Sequence, residues 1–255
     1  MTGAPKNAFK AKLLAGELQW GLWSTLCSPV AAEALSLTGY DWMLYDTEHS
    51  PVEIASLQPL LQAGAVGTAS AVARPAWNDK VLIKKILDIG VQTVLVPFVE
   101  TPEEAAAAVA ATRYPPHGIR GVAGSTRASR YGMAPDYLKT ANDQICVLVQ
   151  IETGQAMSRL EEIASVEGVD GVFIGPSDLS ASLGHLGAPG AEPVQQAIRT
   201  AAERITAAGK APGILTTNAA DALRYRDWGY KFIAAGVDTG LLTGAARGLL
   251  GQLQG

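Results

Sequence analysis

The chain has 255 residues, 48% of them hydrophobic and 17% charged, with a formal net charge of −4. That length suffices for one large buried core, and the scattered basic residues offer no positive stripe to nucleic acid or an anionic membrane, so neither is expected as a partner. The opening MTGAPKNAFKAKLLAGELQW lacks the apolar run of a signal peptide, and no later run is long and apolar enough to span a bilayer, so a soluble cytoplasmic protein is expected.

Short apolar, β-prone runs alternate with helical stretches along the whole chain. QWGLWSTL precedes PVAAEALSLTG, DWMLYDTE precedes EIASLQPLLQAGA, TASAVARP precedes NDKVLIKKILDIG, and QTVLVPFVE precedes TPEEAAAAVAATRYP. ICVLVQIE then leads into QAMSRLEEIASVEG, DGVFIGPSD into EPVQQAIRTAAERITAAG, APGILTT into NAADALRYRDWG, and KFIAAGVD into GLLTGAARGLLGQL. Eight βα units with continuously apolar strands predict one α/β domain over residues 1–255, a (β/α)8 TIM barrel whose strands are covered on both faces. Gly39, Gly90, Gly168, Gly209 and Gly229 stand where left-handed C-caps would end helices. A doubly wound open sheet is the alternative, but WSTLCSPV after the first strand is no GxGxxG turn.

Residues 115–143, rich in Gly, Pro and Arg, break the rhythm and read as a long loop: a lid, an oligomer contact or a disordered excursion. The final helix is apolar with few charges and is expected to pack on another subunit as well as on its own barrel. Cys27 and Cys146 lie in or beside apolar runs without CxxC spacing; both are expected as core thiols, with no disulfide framework and no structural zinc.

In such a barrel the chemistry gathers at the C-terminal ends of the strands. There the second strand ends in Asp46, Glu48 and His49, the third in Arg74, the fifth in Gln150 and Glu152, and the sixth in Ser177 and Asp178. Gln150 and Glu152, two apart, leave the same face of their strand. Glu152 and Asp178 on adjacent strands would repel unless a cation intervened, and an all-oxygen set suits a hard divalent ion; the competing reading is that each acid caps the helix after it. The Ser177 and Asp178 amides could grip an anion, or the turn could be an ordinary N-cap. His49 is the candidate base, its alternative a structural histidine. Arg74 should face an anion or developing negative charge, its alternative an internal pair with Asp46 or Glu48. No strand interior carries a lysine for Schiff-base chemistry, and no GxSxG elbow is present.

GLWSTL, DWMLYDTEHSP, ARPAWND, LDIGVQTVLVPFVE, RYPPHGIRGV, VLVQIET, VEGVDGVFIGPSDLSASLG, KAPGIL and AAGVDTGLL together resemble the metal-dependent class II pyruvate aldolases of the 4-hydroxy-2-oxoheptanedioate type, within the aldolase/citrate lyase family. The likeness runs from about residue 8 to residue 254. It implies the phosphoenolpyruvate/pyruvate type of barrel and reversible cleavage of 4-hydroxy-2-oxo acids to pyruvate and an aldehyde through a metal-stabilised enolate. It further implies Glu152 and Asp178 as ligands of Mg²⁺, Mn²⁺ or Co²⁺, and Gln150, Ser177, Asp178 and Leu215 as substrate-binding residues. His49 resembles the proton acceptor, Arg74 the stabiliser of the enolate-like transition state, and Asp88 the acid that raises the histidine's basicity. A homohexamer, a dimer of trimers with a swapped C-terminal helix, is implied as well. Three other readings stay open: a citrate- or malyl-thioester lyase, decarboxylation of oxaloacetate to the same enolate as a side activity, and a catalytically silent barrel that binds keto acids.

Overall fold

The structure, a computed structural model, describes residues 2–254. Eight parallel strands close into a barrel in chain order: β1 (Gln19–Ser24), β2 (Trp42–Asp46), β3 (Ser70–Arg74), β4 (Thr93–Val96), β5 (Cys146–Ile151), β6 (Gly171–Ile174), β7 (Ala211–Thr216) and β8 (Phe232–Val237). Pairing of Gln19 with Phe232 and Trp20 with Ile233 joins the last strand to the first. Helix α1 (Ala8–Leu14) precedes β1; α2 (Pro29–Ser36), α3 (Ile54–Gly64) and α4 (Lys80–Asp88) follow the first three strands. Between β4 and β5 come α5 (Pro102–Thr112) and α6 (Tyr137–Gln144), and after β5 come α7 (Gly154–Ser158) and α8 (Leu160–Ala164). Then α9 (Pro176–Ser182) and α10 (Glu192–Ala207) follow β6, α11 (Ala219–Asp227) follows β7, and α12 (Asp238–Gln254) follows β8.

The expected barrel is therefore the observed one, and its punctuation is as read: Gly39, Gly90, Gly168, Gly209 and Gly229 all adopt positive φ. Outward strand side chains such as Val94, Val149 and Val172 pack under the helices, while Leu44, Val72, Leu95, Leu148 and Phe173 fill the interior. Gly213 is required inside, because a Cβ there would run into the Phe232 ring.

Four expectations change. The last residues of the presumed loop, 137–143, belong to α6, which buries only Tyr137 and Ala141 and so gives little apolar periodicity to read. The rest of that segment is no lid over its own site. It packs at the N-terminal end of the strands, where Ala128 N donates to Asp88 O (3.0 Å), Arg127 Nη1 to Ile89 O (2.6 Å) and Asp136 N to Thr2 O (2.8 Å). Cys146 is fully buried, whereas Cys27 is only partly buried, at φ +50 in the turn after β1, and packs against the edge of the core. Lastly, α12 does not pack along its own barrel: beyond the buried Asp238, residues 239–254 are exposed, including Leu241, Leu242, Leu249, Leu250 and Leu253.

An aromatic plug and a carboxylate tie stand at opposite ends of the barrel. At the bottom, Phe9 of α1 is fully buried and meets Trp42 and Phe232 edge-on, each at 5.9 Å between ring centroids. Near the top, Asp238 accepts from Ser24 Oγ (3.0 Å), Thr25 N (2.8 Å), Thr25 Oγ1 (2.8 Å) and Leu26 N (3.1 Å), so the start of α12 is tied to the end of β1.

Candidate active site

β2 and β3 run in register, with Asp46 beside Arg74 as their last residues. Both are buried, and they make a two-pronged pair: Arg74 Nε donates to Asp46 Oδ1 at 2.9 Å and Nη2 to Oδ2 at 2.6 Å. Trp23 Nε1 also donates to Asp46 Oδ2 at 3.1 Å, and the guanidinium sits 4.9 Å from the centroid of the Trp23 ring. The third guanidinium nitrogen, Nη1, lies 2.9 Å from Glu48 Oε2. Burial works to raise the Asp46 pKa, but the hydrogen bonds and charge of Arg74 outweigh it and hold the carboxyl below its usual value. Arg74 thus has the internal partners expected as the alternative, and still lines the open mouth.

On the opposite wall, β5 delivers Gln150 and Glu152, both buried. Gln150 Nε2 donates to Glu152 Oε2 at 2.6 Å, and the backbone N–H of Phe98 donates to Oε1 at 2.8 Å. Gly175, which opens the turn into α9, presses against this pair: a Cβ there would lie 2.7 Å from Glu152 Oε2 and 3.0 Å from Gln150 Nε2. The carbonyl oxygen of the Gln150 side chain is buried with no hydrogen-bond partner among the described residues.

The acids bias one another across the barrel mouth. Burial pushes the Glu152 carboxyl up to about 7, with the charges of Asp178 and Glu48 adding to the rise and the bonds from Gln150 and Phe98 opposing it. Burial likewise raises Glu48 to about 6, helped by Asp46 and Asp178 and opposed by Arg74. Buried carboxyls whose neighbours are other acids favour a bound proton or a cation.

A cavity of about 150 Å³ opens among these strand ends. It brings His49, Arg74, Gln150, Ser177, Asp178 and Leu215 together, with Trp23 and Phe173 as aromatic walls. Glu152 lies behind Gln150 and the Gly175 turn. His49 is largely exposed, its Nε2 4.0 Å from Glu48 Oε1. Asp88 is not brought here. It ends α4, and a helix that follows its strand runs back down the barrel, so the residue lies at the far end, where Arg120 Nη2 pairs with it at 2.8 Å.

The sequence profile of the HpcH/HpaI aldolase/citrate lyase family matches residues 19–245. The chain belongs to that family. It is 54% identical over 245 residues to the pyruvate aldolase of Rhizobium etli, with 96% of each chain covered. It is also 54% identical over 245 residues to a 4-hydroxy-2-oxo-heptane-1,7-dioate aldolase of Escherichia coli, covering 96% of this chain and 94% of that one. Among solved structures, an HpcH/HpaI aldolase/citrate lyase family protein from Burkholderia cenocepacia superposes with a TM-score of 0.96 at 40% identity, over 98% of this chain and 100% of that one. The resemblance read from the strand-end motifs is borne out.

Within this HpcH/HpaI fold, three contributors were not singled out from sequence. Trp23 had a usable signal, since it stands near the end of β1 in GLWSTL. Glu48 enters the sequence reading only as an alternative partner for Arg74, and the structure makes that pair, which shapes the mouth. Phe98 had none: it acts through its backbone, held at φ +53.

Proposed function

We propose that the protein is a class II pyruvate aldolase that reversibly cleaves 4-hydroxy-2-oxo acids to pyruvate and an aldehyde. The observation that carries this reading is the mouth itself, where a raised buried carboxyl, an unpartnered amide oxygen and a doubly paired arginine surround one small cavity. Family membership over nearly the whole chain supports the same reaction.

Among the described residues, no three His, Cys, Asp or Glu side chains are gathered as a ready-made metal cage. The donor set nevertheless fits a hard divalent ion. The charge of Asp178 adds to the rise that burial imposes on Glu152, and the Gln150 amide oxygen lacks a partner. Glu152 and Asp178 would hold Mg²⁺, Mn²⁺ or Co²⁺, with substrate and water oxygens completing its coordination. Such an ion supplies Lewis acidity toward the 2-oxo oxygen of the substrate.

The chain's own residues do the rest. The amides of Ser177 and Asp178 and the Gln150 side chain orient the carboxylate and keto end. His49, open to solvent at the rim, takes the proton of the C4 hydroxyl. The C3–C4 bond breaks, its electron pair passes into the enolate of pyruvate, and the aldehyde departs. Arg74, fixed by Asp46, Glu48 and Trp23, presents a preorganised cation to the charge that develops on oxygen. Protonation at C3 releases pyruvate. Asp88 can tune His49 only from another copy of the chain, which fits a homohexamer, a dimer of trimers built on the exported α12. No helix among the described residues is long and apolar enough to cross a membrane; the setting we propose is cytoplasmic.

The test is pyruvate release from a panel of 4-hydroxy-2-oxo acids, after chelation and after adding divalent ions back. Activity should vanish and return, and Glu152→Ala and His49→Ala should be inactive. Full activity in ion-free protein, with a borohydride-trapped lysine adduct of pyruvate, would overturn the reading.

A further inference from the structure

Cleavage of a 4-hydroxy-2-oxo acid removes a proton from the C4 hydroxyl and adds one at C3, and a source for the second proton has yet to be found among the residues of the mouth. Its acids divide by task. Asp46 is kept ionised by its fork with Arg74. Glu152 and Asp178 are the proposed ion ligands. Glu48 is uncommitted.

The position of Glu48 is set by the turn after β2, where Asp46 Oδ1 accepts from the backbone N–H of Glu48 (3.0 Å) and of His49 (3.4 Å). Held there, the Glu48 carboxyl spans two groups that the reaction uses: Oε2 lies 2.9 Å from Arg74 Nη1, and Oε1 lies 4.0 Å from His49 Nε2. The approach to Nη1 is not aligned as a hydrogen bond, so Oε2 is a buried acceptor whose hydrogen-bonding capacity is unused. The side chains of His49, Glu48 and Arg74 are 67%, 13% and 7% exposed, so the carboxyl stands between an open histidine and a closed arginine. The charged groups that face it are Arg74, Asp46, Asp178 and, when protonated, His49. Burial, aided by Asp46 and Asp178 and opposed by Arg74, pushes the carboxyl up to about 6, where it both takes and gives up a proton near neutrality.

We propose that Glu48 is the proton relay of the reaction, carrying the C4 hydroxyl proton from His49 to C3 of the enolate. The proposal rests on the aldolase reading above. His49 takes the hydroxyl proton as the C3–C4 electron pair passes into the enolate. The imidazolium then gives that proton to Oε1 of Glu48 and becomes neutral again. A half-turn of the carboxyl brings the proton to the Arg74 side. Glu48 does not line the reaction cavity, so one water spans the remaining distance, giving a proton to C3 as it takes the one from Glu48. The C2–C3 π pair of the enolate forms the new C–H bond, the C2 carbonyl is restored, and Glu48 ends as the carboxylate with which it began. Addition to an aldehyde runs the same path backward.

The test uses the full chain loaded with a divalent ion and reads the two proton transfers separately. Exchange of the pyruvate methyl protons in D₂O, followed by NMR, reports the transfer at C3. Aldehyde and pyruvate formed in the first turnover of a 4-hydroxy-2-oxo acid report bond cleavage and C3 protonation in turn. Glu48→Gln, close in size but unable to relay a proton, should slow the exchange by about a hundredfold and release aldehyde ahead of pyruvate. Glu48→Asp, which restores a carboxyl, should recover exchange to within about tenfold of the original. Exchange in Glu48→Gln that stays within about threefold of the original, or aldehyde and pyruvate slowed equally as loss of a brace for Arg74 would slow them, would overturn the relay. An original chain that neither exchanges the methyl protons nor cleaves the substrate would instead sink the aldolase reading beneath it.

Discussion

The backbone N–H of Phe98 reaches Oε1 of Glu152 at 2.8 Å from a residue held at φ +53, a conformation an aromatic residue seldom adopts. The ring of Phe98 stacks on Trp77, with centroids 5.6 Å apart at 27° between planes, which helps to hold that backbone in place. Strain of this kind, about 1–3 kcal/mol, persists where surrounding contacts enforce it, and here it aims a donor at the proposed ion ligand.

Glycine at position 98 keeps the donor and adopts the same φ without cost, whereas proline removes the donor and cannot adopt it. Titration of ion-free protein with Mn²⁺, followed by calorimetry, should give Phe98→Gly an affinity within about threefold of the original and Phe98→Pro a loss of at least about tenfold. A Phe98→Gly protein that loses the ion as completely as Phe98→Pro would show that the ring, not the N–H, matters.

Removing Asp46 leaves the Arg74 guanidinium buried with half its partners gone. Asp46→Asn should destabilise the protein by about 3–5 kcal/mol, visible as a drop in the denaturant midpoint. Arg74→Lys keeps the charge but loses the fork and should cut kcat by about a hundredfold or more with little change in folding stability. Equal kcat in the two proteins would remove Arg74 from the chemistry.

Stability should depend on pH in an unusual direction at the mouth. Glu152 and Glu48 have folded pKa values raised to about 7 and about 6, above those of the unfolded chain. Between about pH 4.5 and pH 7 the folded state therefore holds more protons than the unfolded one, and the ion-free protein loses stability as pH rises through that window. Asp46, with its lowered pKa, acts oppositely, its contribution being lost only in stronger acid. Thermal melts of ion-free protein should show the fall, and an added divalent ion should abolish most of it, because bound ligand stabilises the folded state. A melting temperature that climbs from pH 5 to pH 7 without ion would contradict the burial of these acids.

Phe9→Ala should open a cavity at the bottom of the barrel, costing about 3–5 kcal/mol in chemical denaturation while kcat stays unchanged. That separation would show α1 to be a plug and not part of the site.

Leu242→Glu with Leu249→Glu places charge on an apolar helix whose residues 239–254 are exposed. Light scattering coupled to gel filtration should show a smaller assembly than for the original chain. An unchanged mass would leave α12 without the role proposed for it.

Much of this architecture is legible in the sequence because the signals are local. Doubly covered strands read as unbroken apolar runs, and Gly39 or Gly168 marks a helix end because only glycine meets the φ that the turn needs. The rim residues Arg74, Gln150, Glu152 and Asp178 are legible because each is a polar residue that ends or follows an apolar run. What escaped has no such local mark. Phe98 works through a backbone angle, α6 buries two side chains where a core helix would bury a stripe, and Phe9 becomes a plug only once Trp42 and Phe232 stand opposite it. Asp88 could be named by resemblance, but one chain alone leaves it at the far end beside Arg120.

The carboxylate of Asp238 works as a rivet shared by two structures with different purposes. It roots a helix that projects from the barrel, and it pins Ser24, Thr25 and Leu26, the residues immediately after Trp23. A tug on the projecting helix is thus felt one residue from the indole beside the Arg74 guanidinium, so a single fastener joins the root of that helix to the wall of the candidate site.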